Sequence, residues 1–257
     1  MDVVVIVLAS FFTAILTFFS GFGLGTILMP VFAIFFPVDI AIALTGVVHL
    51  SNNLFKITLV GKNTDWSVLL KFGLPAIAAS FAGAWLLLRI TRMPSVFEYH
   101  LWNRDFEVTP VNLTVAILLI IFSMLEIIPS MQKVQFGKNK LALGGVLSGF
   151  LGGLTGIQGA IRSAFLIKSG LTKEAYIATG VVIACLVDFT RLSVYASRYK
   201  EADLHEHLLL IIAATMAAIA GAYIGSKLLK KITLAFIRML IAVLLVIIAI
   251  SLGAGLI

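Results

Sequence analysis

The chain alternates long apolar segments with short polar ones. Six apolar segments approach or exceed the roughly 20 residues that a helix needs to cross a bilayer. In chain order they are 40–60, 67–90, 112–129, 173–197, 207–229 and 233–256. They lack the period-two alternation of membrane strands, and a helix satisfies its own backbone hydrogen bonds in lipid. The pattern therefore predicts an all-α polytopic membrane protein without strands.

Two further apolar segments are interrupted by glycine. Residues 3–36 contain SGFGLGT, and residues 141–168 contain GGLTGIQG. The second segment is too short for two full crossings of about 20 residues each, and it is long for one crossing. Two half-length helices that meet at a glycine-rich tip fit it better. We therefore expect a re-entrant-like helical hairpin in each interrupted segment.

Lysine placement predicts the orientation in the membrane. Ten lysines lie in four loops that we assign to the cytoplasm, against five basic residues on the opposite side, as the positive-inside rule requires. The four loops are 61–72, 130–140, 168–173 and 227–231. Each interrupted segment must then enter and leave the membrane on the same side, which is the outer side for 3–36 and the cytoplasmic side for 141–168. We predict a multi-pass protein of the cell (inner) membrane with both termini extracytoplasmic.

A short repeat relates the two halves. DIAIALTG at 39–46 aligns with KEAYIATG at 173–180, and the same offset places Gly25 on Gly159. Because the number of crossings between equivalent elements is odd, the second half is inverted, as in many secondary transporters. The predicted parts are a first inverted repeat (1–90 and 112–129), an extracytoplasmic linker (91–111) and a second inverted repeat (141–257).

The linker is the longest polar stretch, and it contains Tyr99, Trp102 and Phe106. These aromatic residues fit two roles. They form either an interfacial, lid-like segment or a belt at the level of the lipid headgroups.

Composition supports the membrane class. Charged residues are 12% of the chain, about half the share in soluble domains. Loop lysines account for the net charge of +7, so no nucleic-acid partner is predicted. The single cysteine, Cys185, cannot form an intramolecular disulfide. The apolar run 3–19 has no basic residues before it, and we treat it as part of the mature chain rather than as a signal peptide.

The glycine-rich tips are candidate anion sites. A half-helix that begins near mid-membrane has unpaired N–H groups and the positive end of its dipole, which suit an anion. The tip residues are Ser20, Gly21, Gly23, Gly25 and Thr26 in the first segment, and Thr155, Gly156, Gln158 and Gly159 in the second. The alternative is that these glycines only permit close helix packing.

Arg162 lies about one turn beyond the second tip, within an apolar run. An arginine inside the bilayer costs at least about 2.5 kcal/mol unless it is paired or solvated. An anionic substrate would supply that pairing, since guanidinium suits a forked oxyanion. The alternative is a structural ion pair with Asp188. That residue is also three positions from Arg191 and is expected to pair with it, or else to act as a proton carrier.

One face of segment 40–60 is polar. His49, Asn52, Asn53 and Lys56 are spaced as i, i+3, i+4 and i+7, which places them on one side of a helix. Such a face is expected to line a cavity or a hairpin rather than to contact lipid. His49 is in a position to titrate, and Lys56 either lines the cavity or extends toward the cytoplasmic surface.

Several functions are excluded by missing motifs. The sequence contains no P-loop, no His/Cys cluster with metal-ligand spacing and no hydrolase signature. It therefore predicts no enzyme, no cofactor and no metal site.

Two glycine-rich motifs carry a resemblance to a known family. GFGLGTILMP (21–30) and its counterpart GLTGIQGAIRSA (153–164) resemble the TauE/SafE family of sulfite and organosulfonate exporters, over essentially the whole chain. The first motif lacks three adjacent glycines, and the second contains Gln158 and has Ala164 where the first half has Pro30. The resemblance implies a secondary carrier that exports sulfite, sulfoacetate or related sulfonates.

The sequence therefore predicts a carrier that binds a small anion near mid-membrane and works by alternating access, through either an elevator or a rocking motion. A passive anion channel with the same architecture is the alternative, and a membrane-embedded enzyme that uses His49 and Asp188 is a third hypothesis. The coupling ion is a proton or sodium. A homodimer would suit a protein in which one part stays anchored while another moves.

Overall fold

The computed structural model describes residues 2–18, 23–101, 104–128, 130, 135–199, 207–228 and 234–257. Within these residues the chain forms ten helices. They are α1 (Asp2–Thr17), α2 (Gly25–Ala33), α3 (Val38–Val60), α4 (Trp66–Thr91), α5 (Pro110–Ile127), α6 (Leu141–Thr155), α7 (Gly159–Leu166), α8 (Lys173–Tyr199), α9 (Leu208–Leu228) and α10 (Leu234–Gly253).

The length and hydropathy of the helices show that this is a multi-pass membrane protein. Within the described ranges, α3, α4, α8 and α9 are long and apolar enough to cross a bilayer. Helices α5 and α10 occupy the other two predicted spans, with shorter apolar parts at Pro110–Leu125 and Ala242–Gly253. Both interrupted segments are helical on each side of a break, between α1 and α2 and between α6 and α7. The inverted relation of the two halves stays a prediction.

The linker contains two strands, so the prediction of a chain without strands was wrong. β1 (Phe97–Leu101) pairs with β2 (Arg104–Val108) in an antiparallel hairpin. Tyr99 stacks on its cross-strand partner Phe106 at 5.1 Å between ring centroids, and its hydroxyl donates to the carbonyl of Ala254 at 2.5 Å. The argument from periodicity was applied to the apolar segments, whereas this pairing forms in the polar linker. Trp102 lies outside the described residues.

Glycines bring α6 against the backbone of α4. A Cβ at Gly145, Gly149 or Gly153 would lie 2.2, 2.2 or 2.1 Å from a carbonyl oxygen of α4. Those oxygens belong to Phe72, Ala76 and Ser80, which are also spaced four residues apart. Small residues at this spacing permit close helix approach. Close helix packing therefore accounts for these three glycines of α6, which lie before the second tip.

Helices α3 and α8 hold the polar residues and are fixed by separate parts of the core. In α3, Leu44 and Val48 pack in a cluster that includes Phe32 of α2. In α8, Ile183 and Val187 pack in another cluster with Phe72 of α4. The two helices also contact each other directly. A buried polar interface between them is thus held from both sides.

Candidate functional site

The polar face of α3 points into the protein. His49, Asn52, Asn53 and Lys56 are 2%, 0%, 4% and 4% exposed, so none of them contacts lipid. The spacing that predicted this face is local to one helix, which explains why the sequence was sufficient to identify it.

Part of this face opens onto a cavity of about 40 Å³ between α1, the first break, α3, α7 and α8. A cavity needs roughly 10–15 Å³ to hold one water molecule, so this space admits a few water molecules or a compact ion. Its described lining is Thr17, Phe18, Gly23, His49, Asn53, Lys56, Arg162, Leu166, Tyr176, Ile177, Gly180 and Val181.

Two buried cations line this cavity. Arg162 is 6% exposed, and its Nη1 donates to Oε1 of Gln158 at 3.3 Å. The Nζ of Lys56 lies 5.2 Å from the ring centroid of Phe18. Among the described residues, no carboxylate lines the cavity. A buried cation without a counter-charge is costly, so the charge of this cavity would favour an anion over a cation.

Behind the cavity, Asp188 lies in a buried network with His49, Arg191 and the carbonyl group of Ile42. The carboxylate accepts from Arg191 Nε at 2.9 Å through Oδ1, and its Oδ2 lies 2.5 Å from His49 Nδ1. Arg191 Nη1 also donates to the carbonyl of Ile42 at 3.4 Å. Asp188 forms no ion pair with Arg162, so the proposed structural pairing of those two residues was wrong. The network ties α8 to α3.

The two glycine breaks contact each other. A Cβ at Gly25 would lie 2.9 Å from the carbonyl oxygen of Gly156, and one at Gly156 would lie 2.6 Å from Arg191 Nη1. Gly23 and Gly156 adopt positive φ angles of 81° and 77°, which glycine tolerates without strain. The breaks are therefore close together, but at their contact there is no space for a ligand. Ser20 and Gly21 lie outside the described residues.

The structure divides the predicted site residues into two groups. Five line the cavity: Gly23, His49, Asn53, Lys56 and Arg162. The others lie outside its lining: Gly25, Thr26, Asn52, Gly156, Gln158, Gly159, Asp188 and Arg191. The cavity is thus lined by residues of four helices, α1, α3, α7 and α8, rather than by a symmetrical pair of tips.

Tyr176 and Gly180 line the cavity from the first two turns of α8, and sequence reasoning did not place them in the site. Both fall within KEAYIATG, the segment of the internal repeat. Their spacing of four residues puts them on one helix face, and that spacing is the signal in the sequence that indicates them.

Two buried amides have atoms without a hydrogen-bond partner. These atoms are Nδ2 and Oδ1 of Asn52, and Nε2 of Gln158. An unsatisfied buried polar group costs about 1–3 kcal/mol. Gln158 also orients Arg162 through its Oε1, so its free Nε2 is a second donor beside the guanidinium. Within the described ranges, no group of three His, Cys, Asp or Glu side chains is arranged to hold a metal ion.

Comparison with known proteins places this architecture in a family. Neither a curated protein nor a solved structure matches the chain. The model of the family described as Sulfite exporter TauE/SafE matches residues 6–252, which is nearly the entire sequence of 257 residues. This extent confirms the resemblance that the two glycine-rich motifs indicated. The chain belongs to the TauE/SafE family of membrane transporters.

Proposed function

We propose that this protein is a secondary carrier that exports small sulfur-containing anions, such as sulfite, sulfoacetate or other organosulfonates, by alternating access. The anion binds in the cavity between α3, α7 and α8. The family match supports transport of sulfite or a related anion. The protein sits in the cell (inner) membrane with both termini extracytoplasmic, works as a homodimer, and couples transport to a proton or sodium.

One observation carries the proposal: Lys56 and Arg162 line a single buried cavity to which no described residue contributes a carboxylate. Desolvating these two charges costs several kcal/mol per ion unless an opposite charge offsets it. The nearest buried carboxylate, Asp188, is already engaged by His49 and Arg191. A bound anion supplies the missing counter-charge.

The neutral groups around the two cations suit an oxyanion. Asn53 and Tyr176 line the same cavity and offer donors to oxygen atoms. Arg162 presents a planar fork of N–H groups, which matches oxygen pairs of a sulfite or sulfonate group. The volume of about 40 Å³ favours a compact head group. The tail of a longer sulfonate requires the cavity to open.

Ligand-induced stabilisation tests the proposal. The detergent-purified protein is heated with sulfite, sulfoacetate, thiosulfate, sulfate, acetate or chloride. A ligand at 100 times its Kd stabilises the folded state by about 2.7 kcal/mol, and a sulfur oxyanion is expected to raise Tm. Arg162→Ala and Lys56→Gln should each reduce this rise. Arg89→Gln is the matched control and should leave the rise in Tm unchanged. It removes a cation of the last turn of α4 that lies over the ring of Trp85.

Two outcomes would contradict the proposal. If no anion stabilises the wild-type protein at millimolar concentration, the cavity does not bind the proposed class of substrate. If Arg162→Ala and Lys56→Gln respond as strongly as the wild type, the anion binds elsewhere. Counterflow of the binding anion in proteoliposomes then separates a carrier from a channel, because only a carrier exchanges internal for external substrate.

A further inference from the structure

His49 connects the buried network to the cavity. Its Nδ1 lies 2.5 Å from Asp188 Oδ2, so the carboxylate keeps a proton on that nitrogen and leaves the lone pair on Nε2. A Cβ at Gly23 would lie 3.4 Å from Nε2, and Gly23 and His49 both line the cavity. Nε2 is therefore the nitrogen that receives a proton from the side of the ligand.

Asn53 accommodates both charge states of the ring. Its Nδ2 lies 3.2 Å from His49 Nδ1 and 3.3 Å from Nε2, so the amide packs beside the ring within reach of both nitrogens. When Nε2 is protonated, a flip of the amide presents Oδ1 as an acceptor. Asp188 stabilises the resulting imidazolium through Nδ1.

The surrounding charges determine when His49 is protonated. Asp188 and Arg191 on α8 neutralise each other, whereas Arg162 on α7 and Lys56 on α3 leave two positive charges around the cavity. The other titratable groups that face this region are Cys185 and Tyr176, also on α8. Helices α2 and α6 contain no titratable residue. A proton on His49 adds a third positive charge to an empty cavity, and a bound anion removes that penalty.

We propose that His49 takes up a proton when the anion binds, so that the carrier moves a proton and an anion together in one direction. This inference rests on the proposed anion site. Binding linkage is reciprocal: if the anion favours the proton, the proton favours the anion by the same factor. Asp188 is not the carrier of this proton, because it lies outside the cavity lining and both of its oxygens are engaged.

Isothermal titration calorimetry counts the protons. Sulfate, thiosulfate or sulfoacetate, none of which titrates near neutral pH, is added to the full-length protein in two buffers with different ionisation enthalpies. The wild type is expected to take up as much as about one proton per anion. His49→Gln keeps a donor toward Asp188 but does not titrate, and it should bind the anion more weakly with no uptake. His100→Gln, on the exposed hairpin, is the control and should match the wild type.

The pH dependence gives a second test that leaves His49 intact. Lys56 is the other titratable cation of the cavity, so the affinity is measured in Lys56→Arg, which keeps the charge and does not titrate. A proton gained on binding strengthens the affinity at low pH. The affinity should therefore weaken by as much as about tenfold per pH unit as the pH rises.

The outcomes separate this inference from the proposed function. Anion binding without proton uptake in the wild type, or a flat pH profile in Lys56→Arg, overturns proton coupling and leaves the anion site intact. Uptake that persists in His49→Gln assigns the proton to another residue and also overturns the inference. If neither these three anions nor sulfite binds the wild type, the proposed anion site fails and the coupling fails with it.

Discussion

Replacing Gly149 by alanine tests the close approach of α6 to α4. A Cβ at this position would lie 2.2 Å from the carbonyl oxygen of Ala76 and 2.6 Å from its Cα, whereas real Cβ atoms essentially never come within 3.0 Å of a neighbour. Because that neighbour is backbone, the whole helix must withdraw by about 0.8 Å. The contacts of Gly145 and Gly153 with α4 would loosen at the same time.

The expected cost follows from two opposing terms. Forcing an extra methyl group into a packed contact costs about 1–3 kcal/mol. Alanine gains up to about 1 kcal/mol over glycine in helix propensity, so a net loss is expected. For chains of this size each kcal/mol shifts Tm by roughly 2–4 °C. Gly149→Ala should therefore lower the Tm of the detergent-purified protein by several degrees at a fixed scan rate.

Gly73→Ala is the matched control for Gly149→Ala. It makes the same substitution inside α4, where the new Cβ would lie 3.4 Å from Leu69 Cδ1 and 3.5 Å from Leu186 Cδ1, in ordinary contact. Its Tm is expected to stay unchanged or to rise slightly. If Gly149→Ala is as stable as Gly73→Ala, the backbone contact between α6 and α4 does not exist as described.

Three further substitutions probe other contacts. Gly156→Ala combines a positive φ with a Cβ that would lie 2.6 Å from Arg191 Nη1, so Tm should fall. Anion affinity should fall as well, and an unchanged affinity would show that the second break does not affect the anion site. Asp188→Asn removes the charge opposite a fully buried Arg191 and should cost about 3–5 kcal/mol; a Tm within a degree of wild type would contradict this. Tyr99→Phe removes the donor to Ala254 and should cost about 1 kcal/mol without changing anion affinity, which calorimetry can check.

The sequence was informative where the controlling interactions are local. The apolar runs predicted helices such as α3 and α8 closely, because span length depends on neighbouring residues alone. The spacing of His49 and Lys56 identified a buried face for the same reason. The glycine clusters lie where one helix ends and the next begins, between α1 and α2 and between α6 and α7. Each of these features is encoded within about one helix.

Contacts between distant segments were beyond this reasoning. Asp188 was expected to pair with Arg191 or Arg162, but its other partner, His49, lies 139 residues away along the chain. The strands of the linker are held by Ala254, close to the end of the chain. Charge and periodicity identify groups that need partners, but only the tertiary arrangement selects the partner.

The network around Asp188 constrains how α3 and α8 can separate. Drawing α3 away from α8 would separate His49 from Asp188 and break the bond from Arg191 to Ile42, leaving polar groups exposed to an apolar interior. Such a separation costs several kcal/mol, so α3 and α8 are expected to move together if the protein changes conformation. Arg162 is bonded instead to Gln158, beside the second break. Any relative motion in this region is therefore expected between α7, which holds Arg162, and the joined pair of α3 and α8.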